Sequence, residues 1–142
     1  MKIKVITLNI WGGRLLDRAI EFIKTENPSL ILFQEVFNGE GKNLDSKYKS
    51  YKFLRQKLNL PHSAFKPAFI DTGSFEGIPK GNAIFSRFPI GNERIIFFDT
   101  PFGKFNLGVN VIPSPEIQYI PMSMLKARIV INNKDFNVYS VH

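Results

Sequence analysis

The chain has 142 residues, of which 44% are hydrophobic, so it is long enough for one packed domain and too apolar for intrinsic disorder. Its formal net charge of +7 suits an anionic partner, and the absence of cysteine excludes disulfides and thiolate metal sites. No apolar run approaches the roughly 20 residues of a membrane span, and the N-terminus is typical of a strand and not of a signal peptide. The default expectation is a cytoplasmic protein without a membrane span.

The first part of the chain alternates strands and helices. A strand is predicted over residues 2–10, followed by a Gly-Gly turn and a helix that ends at Asn27-Pro28, because a residue before proline avoids helical backbone angles. A second strand ends at Glu35, and a second helix is predicted over residues 45–58. Both strands are apolar on both faces, which is typical of buried parallel strands.

The chain changes character beyond Pro61, where short apolar runs alternate with Gly, Pro and Asn. This spacing is typical of adjacent strands. The predicted strands cover residues 64–70, 82–86, 93–98, 117–131 and 136–141. No repeat or linker interrupts the pattern, so residues 1–142 are predicted to form a single domain. The loop at residues 71–80 is either part of a substrate groove or an ordinary surface connection.

Polar side chains follow the first two strands where each one ends. Asn9 follows the first apolar run, and Glu35 follows the second. In open α/β sheets, ligands lie at the carboxyl ends of the strands. A carboxylate and an amide at that edge could hold a divalent cation and orient a phosphate. For either residue alone, a turn or a solvated strand end is about as good an interpretation.

Four segments together resemble the endonuclease/exonuclease/phosphatase family, which has the fold of deoxyribonuclease I. They are residues 7–11 (TLNIW), 33–36 (FQEV), 81–90 (GNAIFSRFPI) and 137–142 (NVYSVH). The resemblance implies an α/β (α+β) sandwich, here about its N-terminal half, in which a mixed β-sheet carries helices on one face. The strands ending at Asn9, Glu35 and His142 are expected in one sheet with an apolar opposite face. The domain is expected to be incomplete at residue 142.

The same resemblance implies the roles of the site residues. Glu35 would be a ligand of Mg²⁺, with Mn²⁺ as a possible substitute, and Asn9 would orient the phosphate or the attacking water. His142 would contact the scissile phosphate, a task that suits a group with a pKa near neutrality. Asn82 and, below it in rank, Arg87 are candidate substrate contacts. Arg87 has a structural alternative, which is pairing with an acidic neighbour or capping a turn.

Two further segments match family motifs by their letters only. Residues 135–137 read Asp-Phe-Asn, but residues 132–134 before Asp135 have the composition of a hairpin turn and not of an apolar strand. Residues 140–142 read Ser-Val-His, where the family has Ser-Asp-His. Without that carboxylate no group would hold His142 as a base. The first match is interpreted as a coincidence, and the second lacks the essential Asp, which Val141 replaces. The resemblance implies that the missing carboxylates come from a second half.

The expected function is therefore a Mg²⁺-dependent phosphodiesterase or phosphatase whose activity is doubtful in this chain alone. The alternative is a non-catalytic module that binds nucleic acid or phosphate. Six basic residues in one stretch could guide a nucleic acid, although a solvated helix face is the simpler interpretation. They are Lys42, Lys47, Lys49, Lys52, Arg55 and Lys57. The charge favours nucleic acid slightly among phosphate-ester substrates, and the sequence indicates no oligomeric state.

Overall fold

A computed structural model describes residues 2–73, 77–106 and 120–142. These residues form two sheets, and the helices cover one face of the first sheet. In chain order the elements are β1 (Val5–Asn9), α1 (Leu16–Glu26), β2 (Leu30–Phe37), a 3₁₀ turn (Ser46–Lys49), α2 (Ser50–Lys57), β3 (His62–Asp71), β4 (Ile78–Ser86), β5 (Ile90–Phe97), β6 (Lys104–Phe105), β7 (Ser123–Ile131) and β8 (Lys134–Val141).

The first sheet has five strands in the order β1-β2-β4-β3-β6. β1 runs parallel to β2 and β3 runs parallel to β6, whereas β4 is antiparallel to both of its neighbours. The helices bury their apolar stripes on one face of this sheet, where Ile20 and Leu54 pack into one core cluster with Phe33 and Phe85. The predicted α+β class, a mixed sheet with helices on one face, is confirmed.

The second sheet has three strands in the order β5-β7-β8 and packs on the other face of the first. Leu30 and Ile84 from the first sheet share an apolar cluster with Leu125 and Ile129 of β7. The expectation that the strand ending at His142 joins β1 and β2 in one sheet is wrong. A tight hairpin commits β8 to pair with β7, and β7 buries alternate residues against the first sheet.

The hairpin between β7 and β8 was predicted from residues 132–134. Asn132 and Asn133 have φ values of 49° and 59°, the left-handed backbone that a two-residue hairpin turn of type I′ needs. Asp135 is the second residue of β8 and pairs with Arg128 at 3.2 Å. It therefore follows the turn and does not lie in it.

Element boundaries differ from the predicted ones in ways that local chemistry explains. α1 ends where predicted, because Asn27 takes a left-handed conformation (φ 47°) before Pro28. The predicted second helix divides into the 3₁₀ turn and α2, with Asp45 capping the turn by accepting from the Lys47 amide. β4 begins at Ile78, earlier than predicted, and the two-residue strand β6 was not predicted. The predicted segments 74–76 and 117–119 lie outside the described residues.

Candidate functional site

Glu35 lies on a β-bulge of β2, an interior strand of the first sheet, two residues before that strand ends. The pairing of β2 with β4 shifts register between Phe33 and Val36, and Glu35 has a φ of 58°. Left-handed backbone is uncommon for a residue other than glycine, and such residues concentrate at functional sites. An extra residue in a strand re-aims the side chains beside it. The bulge thus takes Glu35 out of the regular alternation of β2.

The carboxylate of Glu35 is contacted by three side chains. Asn9 Nδ2 donates to its Oε1 at 2.9 Å, Lys80 Nζ donates to its Oε2 at 2.9 Å, and His142 Nε2 lies 3.5 Å from Oε1. The Glu35 side chain is only 17% exposed. Burial by itself raises its pKa, but the bonds from Lys80 and Asn9 and the nearby charges outweigh burial and hold the pKa below its ordinary value. Glu35 is therefore an anion at neutral pH.

Asn9 is fixed on both sides of its amide. It is the last residue of β1, and its Oδ1 accepts from the Trp11 backbone amide at 2.8 Å while Nδ2 faces Glu35. An Asn that binds the backbone two residues further on closes an Asx turn. The turn after β1 thereby orients the Asn9 amide toward the Glu35 carboxylate.

His142 is held at the site by the backbone and by its neighbour Ser140. The His142 amide donates to the Ser123 carbonyl, and the Ser123 amide donates to the His142 carbonyl, both at 3.1 Å. The buried Ser140 hydroxyl donates to the Phe33 carbonyl at 2.9 Å and accepts from Gln34 Nε2 at 3.1 Å. These cross-sheet bonds join the end of β8 to β2 beside the bulge that carries Glu35.

Glu35 opens into a cleft of about 280 Å³. Its lining is rich in cations and aromatic rings. The lining residues are Trp11, Gly12, Arg14, Glu35, Phe37, Lys47, Tyr48, Asp71, Gly73 and Lys80. Gly13 (φ 80°) packs the turn after β1 against the 3₁₀ turn, where an added Cβ would lie 2.5 Å from the Lys47 carbonyl oxygen. This close approach forms two walls of the cleft.

The basic stretch is divided between two surfaces. Lys47 lines the Glu35 cleft, whereas Lys52 and Arg55 line a neighbouring cleft of about 640 Å³ together with Glu40 and Tyr51. Part of the stretch therefore adjoins the candidate site, and part faces a different surface.

Neither Asn82 nor Arg87 contacts the candidate cleft. Asn82 lies on β4 opposite the bulge, since its neighbours Gly81 and Ala83 pair with Val36 and Phe33, but its side chain is turned into the space between the sheets. Asn82 is 1% exposed, and its amide donates to the carbonyls of Ser123 and Ser140. Arg87 donates to the Pro28 carbonyl and to the Asn27 side chain at the other end of the sheet. These contacts are structural ones. A substrate contact by either residue stays a prediction, without geometric support.

Asp135 lies at the opposite end of β8 from His142. His142 follows Asp135 by seven positions in the sequence, and seven steps along an extended strand span roughly 23 Å. The interpretation that residues 135–137 match the family's metal motif by coincidence is consistent with this placement.

Sequence reasoning missed three residues that shape the site. Lys80 directly precedes the Gly81-Asn82 segment and pairs in register with Phe37, which brings its ammonium to the bulge. Gln34 and Ser140 were regarded as strand residues, because their cross-sheet contacts depend on how the two sheets pack. A polar residue within a buried strand was the available signal for Gln34, which is 6% exposed.

The residues at the cleft fit part of a magnesium site. Mg²⁺ keeps several waters and is bound through one or two carboxylates with phosphate oxygens, and Glu35 offers an anionic carboxylate in a cleft. Both of its oxygens already accept hydrogen bonds from Asn9 and Lys80. In the part of the chain that the structure describes, no group of three His, Asp or Glu side chains could hold a metal ion. Glu35 is therefore at most one member of a ligand set.

Known proteins show which family the chain resembles and which structures share its fold. The Endonuclease/Exonuclease/phosphatase family matches residues 6–121. No curated protein is similar enough to the sequence to count as a match. None of the helices in the described ranges has the length and apolar character that crossing a membrane requires.

Three solved structures share the fold of the chain. An endonuclease/exonuclease/phosphatase from Beutenbergia cavernae DSM 12333 has 19% identity and a TM-score of 0.72, over 99% of this chain and 38% of its own length. An endonuclease/exonuclease/phosphatase family protein from Leptotrichia buccalis C-1013-b has 16% identity and a TM-score of 0.64, over 99% of this chain and 55% of its own length. Truncated Caenorhabditis elegans TDP2 has 16% identity and a TM-score of 0.59, over 99% of this chain and 45% of its own length.

The chain thus spans between 38% and 55% of the length of these structures. The family match covers more than half of the sequence, and it includes β1 and β2 with the bulge that carries Glu35. The chain belongs to the endonuclease/exonuclease/phosphatase family.

Proposed function

We propose that this chain is the N-terminal portion of a metal-dependent phosphoric ester hydrolase, a phosphodiesterase or phosphatase that uses Mg²⁺ or Mn²⁺. The observation that carries the proposal is the convergence of Asn9 and His142 on Glu35, at 2.9 Å and 3.5 Å. The three residues come from β1, β2 and the end of β8, and a strained bulge presents the carboxylate. Family membership supports a hydrolase of this class.

Each residue has a role that its contacts support. Glu35 would hold the metal, because it is an anion that lines a cleft. Asn9, fixed through Trp11, orients a phosphate or the attacking water. His142 donates a hydrogen bond to a non-bridging phosphate oxygen, where charge develops in the transition state. The chemistry that Mg²⁺ would supply at Glu35 is polarisation of the phosphoryl oxygen and stabilisation of the leaving group.

Lys80 adds a charge that the sequence did not suggest. Its side chain is 13% exposed, and its ammonium lies 2.9 Å from Glu35 Oε2. A cation at this position balances the negative charge of the Glu35 carboxylate when no metal is bound. Because Lys80 lines the same cleft as Glu35, its ammonium would also be placed to contact a phosphate oxygen of the substrate.

The substrate is a phosphate ester, and the net charge of +7 favours a nucleic acid. A cytoplasmic location remains part of the proposal, on the composition alone. The carboxylates that activate water would come from a second half of the domain, since this chain spans about half or less of the length of its structural relatives.

The test compares this chain with a longer protein that contains a second half. The 142-residue chain should show little turnover of a phosphodiester with Mg²⁺ or Mn²⁺, and the longer protein should show clear turnover. Glu35→Gln in the longer protein should abolish activity, because the amide keeps the shape and loses the charge. Glu93→Gln, on the exposed part of β5, is the matched control and should leave activity unchanged. Efficient cleavage by the 142-residue chain that Glu35→Gln does not affect would overturn the proposal.

The second candidate is a non-catalytic module that binds nucleic acid or phosphate. The observation that favours it is the set of three cations, Arg14, Lys47 and Lys80, on one cleft. This module needs no further carboxylates. Metal-independent phosphodiester binding by a longer protein that lacks turnover would support it over the hydrolase.

A further inference from the structure

Trp11 is an exposed aromatic side chain in a strained position beside the candidate site. It is 57% exposed and has a φ of 51°, which is an outlier for a bulky residue. Its backbone amide binds Asn9 Oδ1, so the strain is coupled to the residue that contacts Glu35. A strained conformation persists where the surrounding structure enforces it, and such positions cluster at ligand sites.

The surroundings of Trp11 are cationic and aromatic. The Arg14 guanidinium lies 4.9 Å from the centroid of the Trp11 ring, and Lys47 Nζ lies 4.8 Å from the centroid of the Tyr48 ring. Trp11, Arg14, Lys47, Tyr48 and Lys80 line the same cleft as Glu35. Cations that follow a phosphate backbone, combined with exposed rings that stack on bases, are how proteins bind single-stranded nucleic acid.

We propose that Trp11 and Arg14 form a stacking subsite for an unpaired nucleobase next to the phosphate cleft, so that the substrate is single-stranded nucleic acid. The proposal rests on the proposed function and names its substrate class. A base stacks on the exposed surface of the Trp11 ring, and the adjoining phosphates meet Lys47 and Lys80. Bases inside a duplex are already stacked on each other, and this platform therefore selects an unpaired base.

A lipid substrate would make fewer interactions with this surface than a nucleic acid. The phosphate of a lipid headgroup could meet the same cations, but it has no planar ring to stack on Trp11. The three cations would then be sufficient, and the strained aromatic position would have no function in recognition. The stacking geometry is what separates the two substrate classes.

The chain itself provides the probe, because Trp11 is its only tryptophan. The experiment titrates the 142-residue chain with a short oligothymidylate and follows intrinsic tryptophan fluorescence without added metal. The matched ligand is an abasic oligomer with the same number of phosphates. We expect quenching by the oligothymidylate and no quenching by the abasic oligomer, because only a base stacks on the indole. Equal quenching by both oligomers, or by neither, would overturn the proposal.

Variants test the same subsite through affinity, measured by anisotropy of a labelled oligothymidylate. Trp11→Ala should weaken binding about tenfold, because an aromatic ring stacked on a base contributes on that scale, and Trp11→Phe should recover part of the loss. Binding of the abasic oligomer should be the same in all three proteins. Phe22→Ala removes a similarly exposed ring (48%) from α1, outside the cleft, and should leave both affinities unchanged. Equal loss for both oligomers in Trp11→Ala would contradict stacking.

Two further outcomes separate this inference from the proposed function. Quenching by phosphatidylglycerol vesicles without quenching by the oligothymidylate would replace the nucleic acid with a lipid surface. The binding readout needs no turnover, so a failure of stacking would leave the role of Glu35 in hydrolysis intact. Conversely, an inactive longer protein whose Trp11 is still quenched by the oligothymidylate would overturn the hydrolase and keep the subsite.

Discussion

The hydroxyl of Ser140 donates to the backbone carbonyl of Phe33 at 2.9 Å across 107 positions of sequence. The bond crosses from the second sheet to the first, and its acceptor lies two residues before Glu35. Ser140 also accepts from Gln34, so consecutive residues of β2 hold the end of β8. His142, two residues further on, owes its position near Glu35 to this connection.

Ser140→Ala should destabilise the protein and release His142. Removing the hydroxyl deletes its bond to the Phe33 carbonyl and one of the three bonds that Gln34 Nε2 donates, since those to Thr7 and Leu32 remain. Losing these two buried hydrogen bonds costs about 1–3 kcal/mol of unfolding free energy. Urea denaturation measures that loss, and the imidazole NMR signals of His142 should shift. Ser46→Ala, at an exposed serine, is the control and should change stability by less than about 0.5 kcal/mol. Equal stability of the two variants would show that the cross-sheet bond contributes nothing.

Asn82→Ala tests whether this buried amide is a structural residue. The substitution removes two hydrogen bonds to the carbonyls of Ser123 and Ser140 and leaves a small cavity between the sheets. We expect a loss of about 2 kcal/mol in denaturant unfolding. Asn137→Ala, on an exposed part of β8, should be nearly neutral. A stable Asn82→Ala protein with weakened phosphate binding would instead support the substrate contact predicted from sequence.

Gly81→Ala should be strongly destabilising for a steric reason. A Cβ at this position would lie 2.1 Å from the Lys66 carbonyl oxygen and 2.7 Å from the Ala68 amide nitrogen. Backbone atoms cannot move aside as a flexible side chain can, so β3 and β4 would have to separate, at a cost of about 3 kcal/mol or more.

The matched control is Gly91→Ala, where the nearest neighbour of the added Cβ is the flexible end of Arg128 at 4.0 Å. Its change in stability should stay within about 1 kcal/mol of zero. Thermal unfolding distinguishes the two variants. A Gly81→Ala protein with the same unfolding midpoint as the wild type would contradict the close approach of β3 and β4.

The Glu35–Lys80 pair should make stability depend on pH in the acid range. The pKa of Glu35 is lower in the folded protein than its ordinary value of 4.5. The ionised carboxylate therefore stabilises the folded state fully above about pH 4.5, and this stabilisation is lost as the pH falls through the folded pKa. Lys80→Met removes a hydrogen bond and a charge that lower the pKa, while burial, which raises it, remains. The pKa of Glu35 in that variant should therefore rise.

Carbon NMR titration of the Glu35 carboxyl measures this change directly. Lys134→Met, at an exposed lysine where β8 begins, should leave the titration as it is in the wild type. An unchanged pKa in Lys80→Met would mean that the ion pair does not hold the carboxylate in its charged form.

The sequence predicted those parts of the fold that depend on local patterns. Apolar runs identified β1 and β2, Asn27-Pro28 gave the end of α1, and the two asparagines before Lys134 gave the hairpin. Asn9 ends β1 as predicted, whereas β2 runs two residues past the predicted end at Glu35. The expected proximity of the two residues follows from the parallel pairing of β1 with β2. The strands, the end of α1 and the hairpin follow from backbone preferences and periodicity, which act over a few residues.

The missed features depend on contacts between distant segments. The placement of β8 in a second sheet follows from its pairing with β7 and from packing of that pair on Leu30 and Ile84. The sequence does not indicate the bulge at Glu35, because glutamate rarely adopts the left-handed backbone conformation that this residue has. Lys80 could not be identified from the sequence, because only the register between β4 and β2 brings its ammonium to Glu35. Asn82 was predicted as a groove residue, because its burial results from the packing of the two sheets.

The bulge at Glu35 and the end of β8 also bear on the order of folding. β1 and β2 can pair early, because only one helix separates them, and they bring Asn9 to Glu35. We expect His142 to reach Glu35 only after the second sheet has docked, since contacts between segments so distant in sequence form slowly. A partly folded chain would therefore have the carboxylate and the amide in place without the imidazole. The distance between His142 and Glu35 is thus a sensitive indicator that the whole chain has reached its native state.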